Sequence, residues 1–322
     1  MTEKNMKIAM MGTGTMASLF AARMMQAGHD VWMVSGWQEQ VDKIGADGLV
    51  LEQDGCEALT FFPKATLNAE DVVRDGVFPE LVMISSKGYQ TERTVKNALP
   101  LIGEETRVLT LQNGMGNAEI IASYVPAERV YFGAASLASD AKGLGRVKDT
   151  TNRNRSPLIS IVPFTRKDDD WCGRLAELFE GLGYSTSAGA AAERFVWKKL
   201  CLNSCGNALA GLSQLANYVY SNDQDGFILI SRILTECVAV AQANGVPLDF
   251  DEMRAFAQAT YYNQHHFVSM CQDMHNKRQT EIDTINGFIV SEGRRLGIPT
   301  PVNETLVHLV RLIQRHYADQ WV

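Results

Sequence analysis

A chain of 322 residues is long enough for two domains, each with a core of its own. With 46% hydrophobic residues, 21% charged residues and a net charge of −7, it has the composition of an ordinary soluble globular protein. That mildly acidic balance leaves no basic footprint for nucleic acid or an anionic membrane surface.

The opening M-T-E-K-N-M-K lacks the apolar core of a signal peptide. The most apolar later stretch, 227–243, is broken by Arg232 and Glu236 and reads as too short to span a bilayer. Cysteines at 56, 172, 201, 205, 237 and 271 make no C-x-x-C pair and no metal-finger spacing. Buried free thiols are the simplest account of them. A cytoplasmic location and no metal are expected.

Lys7 to Met11 is a short apolar run followed at once by Gly12-Thr13-Gly14-Thr15-Met16-Ala17. Apolar residues at helical spacing lead to Gly28-His29, and Val31 to Val34 gives a second strand. This is G-x-G-x-x-A in the context of strand, tight turn, helix and next strand. Gly12 permits the turn, Gly14 admits a pyrophosphate to the backbone, and the small Ala17 lets helix and strand pack closely. Dinucleotide binding follows; a glycine-rich turn in another α/β protein is the competing account.

An acid at the end of the second strand would read the ribose 2′-hydroxyl of NAD(H). The chain has Val34-Ser35-Gly36-Trp37-Gln38 there, with no acid before Glu39. This argues for NADP(H), with a 2′-phosphate against the Ser35 hydroxyl, although no arginine is present and NAD(H) stays open.

Segments 48–52 and 56–62, split by Gln53-Asp54-Gly55, read as a hairpin with an Asp-Gly turn. Leu81 to Ser85 and Val108 to Leu111 are further strands, ending at Ser86-Lys87-Gly88-Tyr89-Gln90 and at Gln112-Asn113-Gly114-Met115-Gly116-Asn117. In a doubly wound sheet ligands lie beyond the carboxyl ends of strands, which places both loops by the cofactor. Lys87 then suits a phosphate, and Asn113 the nicotinamide ribose or a substrate lysine; each residue alone is more often a surface lysine or a turn asparagine. Val130 to Ala138 and Arg146 to Asp149 read as a second hairpin. A strand at 158–162, a helix through Leu182 and a closing strand near Tyr184 complete the half.

Beyond a short hinge near Ser187 the signal is helical, at 190–213, 223–244, 249–260, 281–296 and 302–317. The fold expected is a Rossmann-type doubly wound α/β domain, 1–187, followed by an all-helical domain, 188–322. In the first of these helices Lys199, Asn203 and Asn207 recur every four residues, stacked on one face of a largely apolar element. One amine and two amides on a buried helix need polar partners. They cap neighbouring loops or face solvent, or they hold a small polar substrate against a proton-donating lysine. Thr280 and Asp283 have the spacing of a capping box, which would place Glu281 in a first helical turn. His265 and His266 are either an acid–base pair or solvent-exposed side chains.

Taken together, G-T-G-T-M-A at 12–17, S-K-G-Y-Q at 86–90, L-Q-N-G-M-G-N at 111–117 and W-K-K-L-C-L-N-S-C-G-N at 197–207 resemble the ketopantoate reductase (2-dehydropantoate 2-reductase) family. S-M-C-Q-D at 269–273, T-E-I-D-T-I-N-G at 280–287 and G-I-P-T-P-V-N at 297–303 extend the resemblance over the whole chain. The resemblance implies reduction of the ketone of 2-dehydropantoate to (R)-pantoate with NADPH, on the route to pantothenate and coenzyme A. It implies Lys199 as proton donor, Glu281 beside it, and Asn113, Asn203, Asn207, Asn217 and Ser269 as substrate contacts. For the cofactor it implies Gly12 to Ala17, Ser35, Lys87, Asn113, Glu281 and a backbone contact at Ala138. A homodimer through the helical domain is also expected. Three positions depart from the pattern: Gly36 where an arginine is usual, Ala208 where proline follows the asparagine, and His266 where an asparagine is usual. The competing functions are reduction of a different 2-keto acid on the same fold and a non-catalytic NADP(H)-binding sensor.

Overall fold

The computed structural model describes residues 5–154 and 156–320. The chain divides into two compact units, Met1–Gln112 with Asn117–Glu193, and Asn113–Gly116 with Arg194–Val322.

The first unit is organised on β1 (Lys7–Met11), whose five residues are all buried. Helix α1 (Thr15–Gln26) returns the chain to β2 (Asp30–Val34), parallel to β1. Helix α2 (Gln38–Asp47) precedes β3 (Leu49–Gln53), β4 (Leu59–Phe61) and β5 (Lys64–Thr66). There follow β6 (Leu81–Ile84), α3 (Thr91–Ala98), β7 (Arg107–Thr110), α4 (Asn117–Ala122) and β8 (Val130–Ala135). The unit closes with β9 (Ser139–Ala141), β10 (Arg146–Asp149), β11 (Ile159–Pro163), α5 (Asp170–Gly181) and β12 (Thr186–Ala188).

The large sheet has eight strands in the order β12-β11-β8-β7-β6-β1-β2-β5. From β5 to β8 the strands are parallel, and the chain crosses from one side of β1 to the other between β5 and β6. This is the doubly wound Rossmann plan, with its switch point beside β1. The core combines β1, β6 and β7 with α1 and α5; Phe20 meets Phe179 edge-on at 5.6 Å.

A second sheet, β4-β3-β10-β9, packs on α1. Arg23 of α1 reaches it, placing a guanidinium nitrogen 2.6 Å from the Asp149 carboxylate and 2.6 Å from Gln53 Oε1. The Asp-Gly hairpin is present as β3 and β4, with Gly55 at φ +75°. The second expected hairpin is not: Val130–Ala135 lies between β7 and β11, and only Ser139–Ala141 turns back on Arg146–Asp149. The physical reason is burial on both faces of 130–135, which suits an interior strand rather than a half-exposed hairpin arm.

The described residues from 194 onward carry no strand. Helix α6 (Glu193–Ser213) starts at the junction of the units. It is followed by α7 (Asn217–Asn222), α8 (Gln224–Ala243), α9 (Phe250–Tyr261), α10 (Ser269–His275), α11 (Asn286–Leu296) and α12 (Pro301–Arg315). Two of these, the short α7 and α10, carry no periodic signal long enough to be seen in the sequence.

Helix α8 has 20 residues and contains an 18-residue stretch with a mean hydropathy of 1.5, long and apolar enough by length and composition to cross a membrane, so the expectation that this stretch is too short is not met. Half of that stretch is buried, as in the core helix of a folded domain. Its Glu236 accepts hydrogen bonds from Val302 N and Asn303 N, at 2.8 and 2.9 Å, capping α12. Asn303 Nδ2 donates to the same carboxylate at 2.7 Å, while Asn286 Nδ2 donates to Asn303 Oδ1 at 3.0 Å and to the Ser204 carbonyl at 2.9 Å. This buried network joins α6, α8, α11 and α12.

Candidate active site

In the first unit the glycine loop leaves β1 where the sequence places it. Gly12 has φ +136°, and a Cβ there would stand 3.1 Å from the Ser85 carbonyl oxygen at the end of β6. Only glycine meets both the conformation and the close approach. Gly14 is the N-cap of α1 and offers no side chain to the free N–H groups, and the first turn carries no acid. A Cβ on Gly14 would meet nothing within 4 Å, so the helix N-terminus opens onto free space. Ala17, at 1% exposure, lets α1 lie close on the sheet, and Thr15 and Met16 occupy its first turn. Buried Thr13 has a hydroxyl without a hydrogen-bond partner among the described residues. An uncapped helix N-terminus, open space before it and an orphaned hydroxyl beside it fit a pyrophosphate.

Two glutamines brace this region: Gln40, which no motif singles out, and Gln112, which lies in the 111–117 motif, where the resemblance assigns it no role of its own. Gln40 donates to the Thr13 carbonyl at 3.2 Å and accepts from Gly145 N at 3.0 Å, fixing the loop from behind. Gln112 donates to the Ser86 carbonyl at 2.7 Å and accepts from Thr110 at 2.7 Å, joining the loops that follow β6 and β7. Lys87 is half-buried just beyond β6. Ser35 accepts a bond from Trp37 N at 3.2 Å. Ala138 is exposed, and its N–H donates to Thr151 while its carbonyl accepts from Thr150 N, so its backbone groups are already engaged.

In the second unit, α6 runs unbroken through Lys199, Asn203 and Asn207, so the three do share a face. Lys199 and Asn203 are half-buried and Asn207 is buried. The adjacent Lys198 points elsewhere: its ammonium lies 2.9 Å from Glu252 of α9 and 4.6 Å from the Phe256 ring.

Segment Asn113–Gly116 is clamped to 281–284. Met115 N donates to the Thr284 carbonyl at 2.8 Å, and Asn113 Nδ2 lies 3.4 Å from the Glu281 carboxylate. Gly114, at φ +82°, is required here, since a Cβ would come within 2.1 Å of the Thr284 oxygen. That clamp also explains a correction. Residues 281–285 form turns rather than the first turn of a helix, and α11 begins only at Asn286. The capping box is absent: Thr280 bonds Gln314, and Asp283 pairs with Arg311 at 2.7 Å. Glu281, 6% exposed, is therefore not a helix-dipole residue.

Asn217 begins α7 and is 2% exposed, with Nδ2 donating to Gln264 Oε1 at 2.9 Å. It packs over Gly206 of α6, where a Cβ would stand 2.5 Å from that nitrogen. Ser269 is exposed at the start of α10. His265 and His266 are both exposed; His265 stacks on Tyr218 at 4.3 Å and His266 meets Gln264 at 3.2 Å.

Residues 8–155 match the family model "Ketopantoate reductase PanE/ApbA", and residues 192–314 match its C-terminal model. The chain is 29% identical over 311 residues to a 2-dehydropantoate 2-reductase of Halobacterium salinarum, covering 96% of this chain and 99% of that one. It is similar to the solved ketopantoate reductase of Ralstonia eutropha JMP134, with TM-score 0.83, 29% identity and coverage of 96% and 99%. It is similar also to D-mandelate dehydrogenase solved with NADH and anilino(oxo)acetate, with TM-score 0.88, 27% identity and coverage of 96% and 98%. With a Rossmann unit, a helical unit and matched models over most of its length, the chain belongs to the ketopantoate reductase family.

Proposed function

We propose that this chain is a nicotinamide-dependent oxidoreductase that reduces the 2-keto group of 2-dehydropantoate to (R)-pantoate, with NADPH as the preferred cofactor. The observation that carries the proposal is the row of Lys199, Asn203 and Asn207 on one face of α6, with Lys198 drawn away to Glu252.

Gly12 to Ala17 and the uncapped start of α1 would hold the pyrophosphate, with Ser35 toward the adenosine ribose and Lys87 toward a phosphate. The dinucleotide supplies the hydride when bound. Lys199 donates a hydrogen bond to the C2 carbonyl oxygen and transfers its proton as that oxygen takes up negative charge. Asn203, Asn207, Asn217 and Ser269 orient the carboxylate and hydroxyl, lowering the barrier by alignment. Glu281, which accepts a hydrogen bond from Asn113 Nδ2 at 3.4 Å, would serve as a carboxylate partner for the reacting amine.

Oxidation of NADPH against NADH by 2-dehydropantoate is the direct test. No turnover with either cofactor would sink the reading. A second reading, reduction of another 2-keto acid such as an aryl-substituted one, is favoured by the likeness to D-mandelate dehydrogenase holding NADH. A panel of keto acids separates the two by kcat/KM. A homodimer through the helical unit is supported by Leu309 and Leu312, exposed on one stripe of α12; light scattering at the mass of a monomer would remove it.

A further inference from the structure

Asn217 is buried, its nitrogen is committed to Gln264, and its Oδ1 has no hydrogen-bond partner among the described residues. A buried acceptor left without a donor is costly, and a ligand hydroxyl relieves that cost. What decides which end of the Asn217 amide is left over is Gln264. Its Oε1 faces Asn217 at 2.9 Å, and its Nε2 faces His266 Nε2 at 3.2 Å. With the imidazole proton on Nδ1, His266 accepts from the Gln264 amide, which fixes Oε1 toward Asn217. Turning the Gln264 amide over would set two donors against Asn217 Nδ2 unless Asn217 turned as well.

Gln264 is itself anchored. Its backbone N–H donates to the Tyr261 carbonyl at 2.8 Å, and its carbonyl accepts from Tyr218 N at 3.2 Å. Tyr261 in turn donates to the Leu202 carbonyl of α6 at 2.5 Å, one residue from Asn203. The loop is thus tied at both ends to the helices that carry Asn203 and Asn217.

We infer that Gln264 is a positioning residue that holds the Asn217 amide with its nitrogen engaged and its buried oxygen left over, as an acceptor for a hydroxyl of the substrate. This rests on the reading of Asn217 as a substrate contact. It makes the preferred substrate a hydroxyl-bearing 2-keto acid and assigns part of that preference to a residue outside the motifs.

The test compares 2-dehydropantoate with 3,3-dimethyl-2-oxobutanoate, the same acid without its hydroxyl. Gln264→Leu is expected to raise KM for 2-dehydropantoate by about 5–20-fold, with kcat within about twofold of wild type. Its KM for 3,3-dimethyl-2-oxobutanoate should stay at the wild-type value. Gln264→Glu keeps the acceptor toward Asn217 and should hold KM for 2-dehydropantoate within about threefold. Equal changes for both acids, or none, overturn the inference. If Asn217→Ala raises KM while Gln264→Leu does not, Gln264 alone loses its role. If Asn217→Ala is itself silent, or wild type turns over neither acid, the underlying reading falls and this inference with it. Thermal unfolding of each variant separates misfolding from a change in the site.

Discussion

Lys198 and Glu252 form an ion pair of 2.9 Å, which commits Lys198 to α9 while its neighbour Lys199 keeps the helical register of Asn203 and Asn207. Successive helical residues are rotated by about 100°, so one lysine of the pair serves α9 and the other continues the row. Lys199→Ala should therefore lower kcat by roughly 10²–10⁴-fold, the usual size of a general-acid contribution. Lys198→Ala should leave kcat within about threefold, because its ammonium is committed to Glu252 of α9 rather than to the asparagine row. Steady-state rates of the two variants with 2-dehydropantoate check this; a reversed order would reassign the proton donor.

Gly206 sits inside α6, where glycine costs about 1 kcal/mol relative to alanine in an exposed helix. Here the missing side chain makes room for Asn217 and for the Tyr261 hydroxyl, 2.5 and 2.9 Å from where a Cβ would lie. Gly206→Ala is expected to destabilise the fold by about 1–3 kcal/mol through overpacking and to raise KM for the keto acid. Urea unfolding together with kinetics reads both. A variant more stable than wild type with unchanged KM would show that the contact is slack.

The Glu236 carboxylate accepts three hydrogen bonds from Val302 and Asn303 in a buried setting. Glu236→Ala leaves these donors unmet and should cost about 3 kcal/mol. Glu236→Gln, which keeps one acceptor oxygen, should cost less. Denaturant midpoints at constant m-value measure the difference, and a loss below about 1 kcal/mol for the alanine variant would mean that water replaces the cap.

Asp149 is a buried carboxylate of the first unit whose pairing makes stability depend on pH. Burial raises its carboxyl, but Arg23 and Thr151 outweigh that and hold it below its ordinary value. A carboxyl with a lowered folded-state value contributes stability in full above its unfolded value, near 4, and loses it as pH falls through the folded one. Asp149→Asn should cost about 3 kcal/mol at pH 7, since it leaves Arg23 buried without its counter-charge. The gap between wild type and variant should narrow progressively as pH falls below about 4 toward the folded-state value. A constant gap from pH 7 to pH 3 would assign the loss to packing instead.

Much of the first unit was legible because its signals are local. Glycines at 12 and 14 sit between an apolar strand and a helix, and that local order alone marks the turn, although the close approach that excludes a side chain at Gly12 comes from the distant Ser85. The spacing of Lys199, Asn203 and Asn207 was equally readable, since helical periodicity alone places them on one face. The turn at 281–285 was not legible: Thr280 and Asp283 carry a helix-start pattern, and only the distant Asn113–Gly116 segment claims that backbone instead. The same holds for Val130–Ala135, whose neighbours in the sheet come from elsewhere in the chain.

By itself, then, the order of residues determined the Rossmann plan, the helical character of the second half and the polar row on α6, because turn sterics and helical period act over a few residues. Tertiary structure alone decided that Lys198 answers Glu252, that Glu236 caps α12, that Gln40 and Gln112 brace loops of the first unit, and that Gln264 holds Asn217 in the second. Those choices depend on partners tens of residues away, and a glutamine carries no mark of its partner until the chain has brought the two within about 3 Å.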